Sequence, residues 1–445
     1  MNLTSAFFTP PNFLGGSTSD ATKGLGYQYS FSADTAHYKF LSFPLSTQET
    51  IGVVLISLMN MLANAGGIGG GGIMIPFMMI FLKLPIEVCI PLANSFALIS
   101  SITRFVINYN QPHPYRPWRK IIDYEVVTLT MPMVYLGTML GVQISAYMSQ
   151  LLLVLLLQAV LIYTLYKTTQ KGIQIWIKEN QKKQGHLPLI QAEERKREIK
   201  RSRYTTSISR IRNAEPSEEL KKITAAEGTH FTKSRILKIV STFGVLFVCL
   251  FLIDRANEGK VSSSAVWNDV VKVLSFLFFV TFCILETLLS AKEIRQIHFI
   301  KRRDQYEFDE NDIHFDKKYT AGFLISMCFL AGMLSGILGI AGGTIMSPLF
   351  LSLGMLPSVT AATNQYIGMV SSLSVTLQFM FKDKLNYGYL LFMGIFIFLS
   401  ALLGLKQVNR LVKKTGRQSI IVFIISFVLF TSFMILPFKY AVQED

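Results

Sequence analysis

Two glycine-rich blocks, 272 residues apart, stand inside long apolar runs and repeat one another. The first is Leu58-Met-Asn-Met-Leu-Ala-Asn-Ala-Gly-Gly-Ile-Gly-Gly-Gly-Gly-Ile-Met-Ile-Pro76, and the second is Leu330-Ala-Gly-Met-Leu-Ser-Gly-Ile-Leu-Gly-Ile-Ala-Gly-Gly-Thr-Ile-Met-Ser-Pro348. Aligned without a gap, they share Leu58/Leu330, Met61/Met333, Leu62/Leu334, Gly67/Gly339, Ile68/Ile340, Gly70/Gly342, Gly71/Gly343, Met74/Met346 and Pro76/Pro348. Leu84-Pro85 returns as Leu356-Pro357 at the same offset. Interrupted hydrophobic segments at matching places in two halves of a chain point to a transporter binding site.

The apolar residues set the solvent. They make up 51% of 445 residues, charged residues only 16%, and mean hydropathy is +0.40. A soluble domain is about one-quarter charged. The apolar positions form runs near 50–83, 86–108, 124–148, 150–168, 236–253, 266–290, 320–353, 357–381, 386–405 and 418–438, not the stripes of surface helices. The expected fold class is therefore all-α, a polytopic transmembrane helical bundle built from two homologous repeats with broken Gly-rich first helices. A β-barrel would alternate apolar and polar residues, and Leu151-Leu-Leu-Val-Leu-Leu-Leu157 does not. The chain divides into an extramembrane arm (1–48), repeat 1 (49–170), a basic linker (171–235), an inserted transmembrane pair (236–290), a mixed-charge loop (291–319), repeat 2 (320–438) and a short tail (439–445).

Net charge is +15, and the linker explains much of it, with sixteen Lys/Arg against eight Glu between 171 and 235. Basic residues beside membrane spans mark the cytoplasmic side, so 171–235 is expected to be cytosolic, with contact to anionic membrane lipids as a second use. No recognition motif for nucleic acid accompanies the charge. The four cysteines fall within apolar segments without metal-ligand spacing and the six histidines lie outside those segments, so no metal or other cofactor is indicated.

Six glycines in the seven positions from Gly66 to Gly72 should break a helix, since each costs roughly 1 kcal/mol relative to Ala. Broken backbone at membrane depth persists only where protein buries it or water reaches it. A half-helix restarting near Ile73 would present its N–H groups and positive dipole end to an anion, which the absence of side chains at Gly69, Gly70, Gly71 and Gly72 lets approach closely. Gly342, Gly343 and Thr344 should build the partner site, with the Thr344 hydroxyl as an extra donor. Polar residues in the following segments, Asn94 and Ser95 in the first half and Thr363 and Asn364 in the second, complete the candidate substrate-binding set. Close helix packing is the alternative reading of the glycines, and interhelical hydrogen bonding that of the polar residues. Of the ionisable groups, Glu286 lies well inside 266–290 and is a coupling candidate, with pairing to a neighbouring helix as its alternative. Arg104, near the end of 86–108, is expected to snorkel to the interface.

The Gly-Gly-Gly-x-x-x-Pro pattern in the first segment of each half resembles the TauE/SafE family of membrane transporters, named for sulfite and sulfoacetate export. The second half carries the likeness best, through Ala331 to Leu351, Ala361-Ala-Thr-Asn364, Met369-Val-Ser-Ser-Leu-Ser-Val375 and Gly416-Arg417. The long linker and extra segment pair resemble the eukaryotic branch. Ala341 and Thr344 flank only two glycines where the family has three, and Asn364 stands where it has serine after Ala-Thr. The resemblance implies transport of a small anion such as sulfite, a sulfonate or another organic anion.

If both glycine segments cross fully, ten segments span and the halves run parallel. If both are re-entrant hairpins, eight cross and the halves are inverted, which moves the basic loop from Lys406 to Arg417 to the cytosol as the positive-inside rule favours. Secondary transport of a small anionic substrate is the leading function, since no Walker-type phosphate loop is present. An intramembrane serine enzyme would need a base, and no His lies in an apolar segment; an aspartyl enzyme would need two Asp in segment interiors, which hold none. The alternative is a trafficking or scaffold protein that retains the transporter fold without transport.

Overall fold

The computed structural model describes residues 45–65, 70–113, 116–183, 217–230, 232–261, 264–306, 308, 313, 315, 318–340, 342–415, 417 and 419–442. Gly69, the arm to residue 44 and linker residues 184–216 lie outside the described residues. Thirteen helices form among those described: α1 (Thr47–Ala65), α2 (Gly71–Phe81), α3 (Ile86–Asn108), α4 (Tyr124–Ser145), α5 (Gln150–Lys183), α6 (Glu218–Glu227), α7 (Lys233–Asn257), α8 (Ala265–Arg303), α9 (Lys318–Leu338), α10 (Gly343–Ser352), α11 (Pro357–Phe381), α12 (Tyr387–Thr415) and α13 (Ser419–Val442). Seven of them, α3, α4, α5, α7, α8, α9 and α12, contain stretches long and apolar enough to cross a membrane. Large apolar side chains such as Val106, Leu155, Leu237, Leu274 and Leu391 are exposed on the outer helices, as a lipid solvent requires. The molecule is a multi-pass helical membrane bundle.

Leu-Pro at 84–85 and at 356–357 starts α3 and α11 cleanly, because proline fixes its own φ and holds the residue before it extended. Asp123 caps α4, its carboxylate accepting the backbone N–H groups of Glu125 and Val126. Both short helices, α2 and α10, begin at glycine caps with no side-chain cap.

α2 runs back beside α1. Gln48 Nε2 donates to the Ile80 carbonyl at 3.1 Å, Gly52 abuts Phe81, and further along Gly70 abuts Asn60. α10 folds back on α9 in the same way, with Cys328 Sγ 3.7 Å from Met346 Sδ and Gly342 beside the Ala331 carbonyl. Each pair is thus an antiparallel hairpin. Following the chain from there, α3, α4, α5, α7, α8, α11, α12 and α13 alternate between two faces. One face carries the turns at 82–85, 146–149 and 382–386, where Gln150 meets Glu87 and Lys382 meets Gln143. The other carries 109–123, α6 and the residues after α8. There Lys301 bridges Glu125 and Glu227 at 2.6 and 2.8 Å, and the Tyr306 hydroxyl accepts from Arg116 and donates to Glu227. The α1–α2 hairpin opens on the first face and the α9–α10 hairpin on the second.

The helix contacts pair off when residues 47–183 are exchanged with 318–442. α9 packs on α4 as α1 packs on α12; α2 lies on α3 and α13 as α10 lies on α11 and α5; α3 crosses α11, and α5 meets α13. The closest seam is α4 against α9. A Cβ on Gly137, Gly141, Gly332 or Gly336 would stand 2.2 to 2.6 Å from a backbone oxygen of the facing helix, so these glycines let two backbones touch. On α1 the positions aligned with Gly332 and Gly336 are Asn60 and Asn64, and there the contact with α12 is a hydrogen-bonded one, with Asn60 Nδ2 donating to Ser400 Oγ at 2.7 Å. α7 and α8 pack on each other and against α4 and α11, outside the paired contacts.

Candidate functional site

The two glycine blocks meet. A Cβ placed on Gly71 would lie 2.8 Å from the Gly339 carbonyl oxygen, 3.1 Å from that of Ala93 and 3.1 Å from the Ala97 methyl. One placed on Gly72 would lie 2.4 Å from Ile340 Cγ1. Gly339 itself has φ +69°, a left-handed conformation that glycine adopts without strain, and it closes α9 against the Ile90 carbonyl. At Gly71 and Gly72 the absent side chain therefore serves helix approach. Gly342 differs: its nearest neighbour would be Ser371 Oγ at 3.4 Å, an ordinary contact. Gly343 is tighter, with three Asn364 atoms at 3.3 Å.

The junction is flanked by α3 and α11, which carry the polar candidates. Asn94 Nδ2 donates to the Ile90 carbonyl, and its Oδ1 is buried without a partner. Asn364 Nδ2 donates to the Gly343 carbonyl and to Ser347 Oγ, and its Oδ1 is likewise buried and unpartnered. Each amide thus ties a spanning helix locally and leaves one acceptor free near a glycine block. Ser95 donates to the Pro91 carbonyl at 3.0 Å and lies 3.5 Å from Thr376 Oγ1 on α11. Thr363 stands apart from this group, with its hydroxyl accepting from the Asp123 backbone N–H at 2.9 Å on the second face. Glu286 is buried between α7 and α8, where the Thr242 hydroxyl donates to it at 2.6 Å, in keeping with pairing to a neighbouring helix.

Sequence reasoning missed two features. Asn60, Asn64 and Ser100 form a fully buried amide–hydroxyl cluster beside Gly70, with Ser100 donating to Asn60 Oδ1 at 3.1 Å. Arg104 does not snorkel: it is 1% exposed, the largest fully buried side chain among those described. α11 crosses α3 at this level, with Gln365 bonded to Asn108 and to the Ser101 carbonyl. The signal for the first was available in the spacing of Asn60, Asn64 and the four-residue glycine steps that match them. For the second there was none, since burial of a helix-end arginine depends on which helix crosses it.

Comparison with known proteins places the chain. A family model, sulfite exporter TauE/SafE, matches residues 31–179 and 229–433. The chain belongs to this family. Among curated relatives, sulfite exporter TauE/SafE family protein 5 of Arabidopsis thaliana is 27% identical over 402 residues, covering 87% of this chain and 84% of that one. Family protein 2 of the same plant is 25% identical over 402 residues, with 88% and 83% coverage. A probable membrane transporter protein, YunE of Bacillus subtilis (strain 168), is 34% identical over 74 residues, 16% of this chain and 27% of its own. No solved structure matches the chain. The long plant relatives align across the linker and inserted pair as well as both halves, which agrees with the eukaryotic branch. The protein is a membrane transporter of this family.

Proposed function

We propose that this transporter carries a small oxygen-bearing anion, sulfite or an organic sulfonate or carboxylate, and that the substrate is held where the two glycine blocks meet. The observation that carries the reading is the contact of Gly71 with Gly339, which brings two oppositely oriented hairpins tip to tip inside the bundle. The uncapped N-termini of α2 and α10 turn unpaired backbone donors and positive dipole ends toward that region. Gly342 and Gly343 supply the approach, and Asn94, Ser95 and Asn364 the polar walls, while Gly70 packs against Asn60 and Gly69 lies outside the described residues. Gly71 and Gly72 act as packing surfaces at the tip contact. Thr363 acts at one remove, by holding the start of α4. The junction is closed in this conformation, so loading requires the hairpins to separate from the α3–α11 crossing, the rigid-body rocking expected of inverted repeats.

A small cleft of about 30 Å³ opens on the first face. Glu87, Ile90, Val142, Lys382 and Lys384 line it, and Ile90 is the residue against which Gly339 packs. Two lysines against one glutamate favour anion entry from this side. The second face carries the two described ends of the basic linker and the basic end of α12 from Lys406, which is helical to Thr415, so we assign it to the cytosol by the positive-inside rule. Purified protein in proteoliposomes should take up or release labelled sulfite saturably, with competition from ethanesulfonate and acetate. Vesicles in which none of these anions moves above the empty-vesicle rate would overturn the reading.

A further inference from the structure

Arg104 is a charged side chain buried in the bundle interior that the packing leaves unexplained. It sits on α3, one turn before the helix ends at Asn108, and is 1% exposed. Among the described residues its hydrogen bond runs from Nη2 to Ser101 Oγ at 3.2 Å, and Nε and Nη1 are buried with no partner there. No carboxylate among the described residues pairs with it. A buried guanidinium with unmet donors costs several kcal/mol, so the fold keeps it at a loss.

The surroundings suggest what it is kept for. Ala97, Ser101, Arg104 and Asn108 follow one another at three- and four-residue steps and so line one face of α3. Ala97 touches the tip of the first hairpin at Gly71, and Asn108 donates to Gln365 of α11 at 3.2 Å. Across from Ser101 stands Gly368, where a Cβ would meet nothing within 4 Å except Ser101 Oγ at 3.8 Å. Ser371 and Ser372 continue the facing surface of α11; both are fully buried, and Ser372 Oγ has no partner. The stripe is therefore a polar seam running from the glycine junction toward the second face, with a single uncompensated positive charge and slack beside it.

We propose that Arg104 is the counter-charge for the transported anion, taking two coplanar oxygens of a sulfite, sulfonate or carboxylate through one of its unpaired donors, Nε or Nη1, together with the second N–H of the adjacent Nη2, with Ser101 and Ser372 as hydroxyl partners. A guanidinium presents its N–H groups as a planar fork matched to such oxyanions, and a halide cannot satisfy two of them at once. The inference rests on the anion-transport reading above and deepens it: the glycine junction holds the anion first, and Arg104 receives it beyond the tips and determines selectivity for oxyanions over chloride. The charge also lies on the cytosolic side of the junction, so an anion reaching it has passed the tips.

The test uses proteoliposomes loaded with wild type, Arg104→Lys, Arg104→Gln or Ser101→Ala, assayed with labelled sulfite and labelled chloride, alongside thermal unfolding of each protein with and without sulfite and ethanesulfonate. Wild type should transport sulfite saturably and gain thermal stability with both oxyanions. Arg104→Gln should lose the stability gain and raise the sulfite KM at least about 30-fold, the scale of losing one partner of a buried charge pair. Arg104→Lys keeps the charge but not the fork, so it should transport with a higher KM and reduced preference for sulfite over chloride. Ser101→Ala should weaken sulfite mildly and leave the fold intact. Without anion, Arg104→Gln should be as stable as wild type or more so, because it removes an unpaired charge. A wild type that moves none of the oxyanions rejects the transport reading and this assignment with it. A wild type that moves sulfite while Arg104→Gln does so with unchanged KM rejects Arg104 alone, as does an anion-free Arg104→Gln that unfolds well below wild type.

Discussion

Alanine at Gly342 and at Gly71 separates a glycine that faces a ligand from one that faces another backbone. At Gly342 the backbone is helical, φ −48° and ψ −25°, and an added methyl would find Ser371 Oγ at 3.4 Å, ordinary contact that needs no movement. Alanine is a poorer cap than glycine, but it also narrows the unfolded ensemble by about 0.4–1 kcal/mol, so the two effects nearly offset. At Gly71 the methyl would meet a carbonyl oxygen at 2.8 Å where ordinary contact starts near 3.4 Å, so the hairpin tips must part by about 0.6 Å. Overpacking of that kind costs about 1–3 kcal/mol. Thermal unfolding of the purified proteins and sulfite uptake in proteoliposomes read both consequences. Gly342→Ala should unfold within about 0.5 kcal/mol of wild type while its sulfite KM rises tenfold or more, the scale of about 1.5 kcal/mol for one hydrogen bond to a charged group. Gly71→Ala should lose stability whether or not sulfite is present. Equal stability of the two variants would refute the packing argument at Gly71, and a wild-type KM for Gly342→Ala would remove the anion from the start of α10.

The α4–α9 seam predicts that Gly141→Ala, whose methyl would stand 2.2 Å from the Met333 carbonyl oxygen, destabilises by about 1–3 kcal/mol. Gly322→Ala on the same helix pair has nothing within 4 Å and should be neutral or slightly stabilising, so similar losses in thermal unfolding would count against the seam. Burial, with the neighbouring Lys384 adding repulsion, lowers the pKa of Lys382 to about 8, so its ammonium is present below that pH and lost above it. Sulfite uptake should therefore fall as pH rises through about 8, and Lys382→Met should flatten that fall; an unchanged profile would show that the first-face cleft is not the entry. The basic excess of 171–235 predicts that protease added outside right-side-out vesicles leaves the linker uncut, and cleavage there would reverse the orientation.

The limits of α3 and α11 were legible because Leu-Pro stops one element and starts the next, a local rule that no tertiary contact overrides. The duplicated glycine blocks were legible for the same reason, being written in the chain. What they do was not. A glycine whose carbonyl neighbour is four residues away in sequence and one whose neighbour is on the opposite hairpin look identical in a string, yet Gly71 fills against Gly339 and Gly342 stands open. The repeat also conceals a chemical asymmetry. Gly332 and Gly336 let α9 press bare backbone on α4, while Asn60 and Asn64 at the aligned positions of α1 hydrogen-bond to Ser400, Ser100 and each other. Two hairpins of one ancestry thus pack differently, one by glycine contacts from both helices and one by buried amides beside a single glycine contact, Gly404 on the Met61 carbonyl.

That asymmetry bears on which hairpin moves. The α9–α4 contact is continuous backbone against backbone over Gly137, Gly141, Gly332 and Gly336, with no side chain able to rotate out of the way. Separation there forfeits close packing along the whole seam, and in lipid no hydrophobic gain compensates. The α1–α12 contact is held partly by amide and hydroxyl groups, Asn60 with Ser400, and Asn64 behind it has a buried, unpartnered Oδ1. Such groups can exchange one partner for a water or an anion oxygen when the helices part, at a cost of about 0–2 kcal/mol for each ordered water. The first hairpin is therefore the one built to yield, and the second is the wall it yields against. Arg104 lies beyond the tip of that first hairpin on the seam the opening would wet, which is where an uncompensated positive charge draws an anion inward.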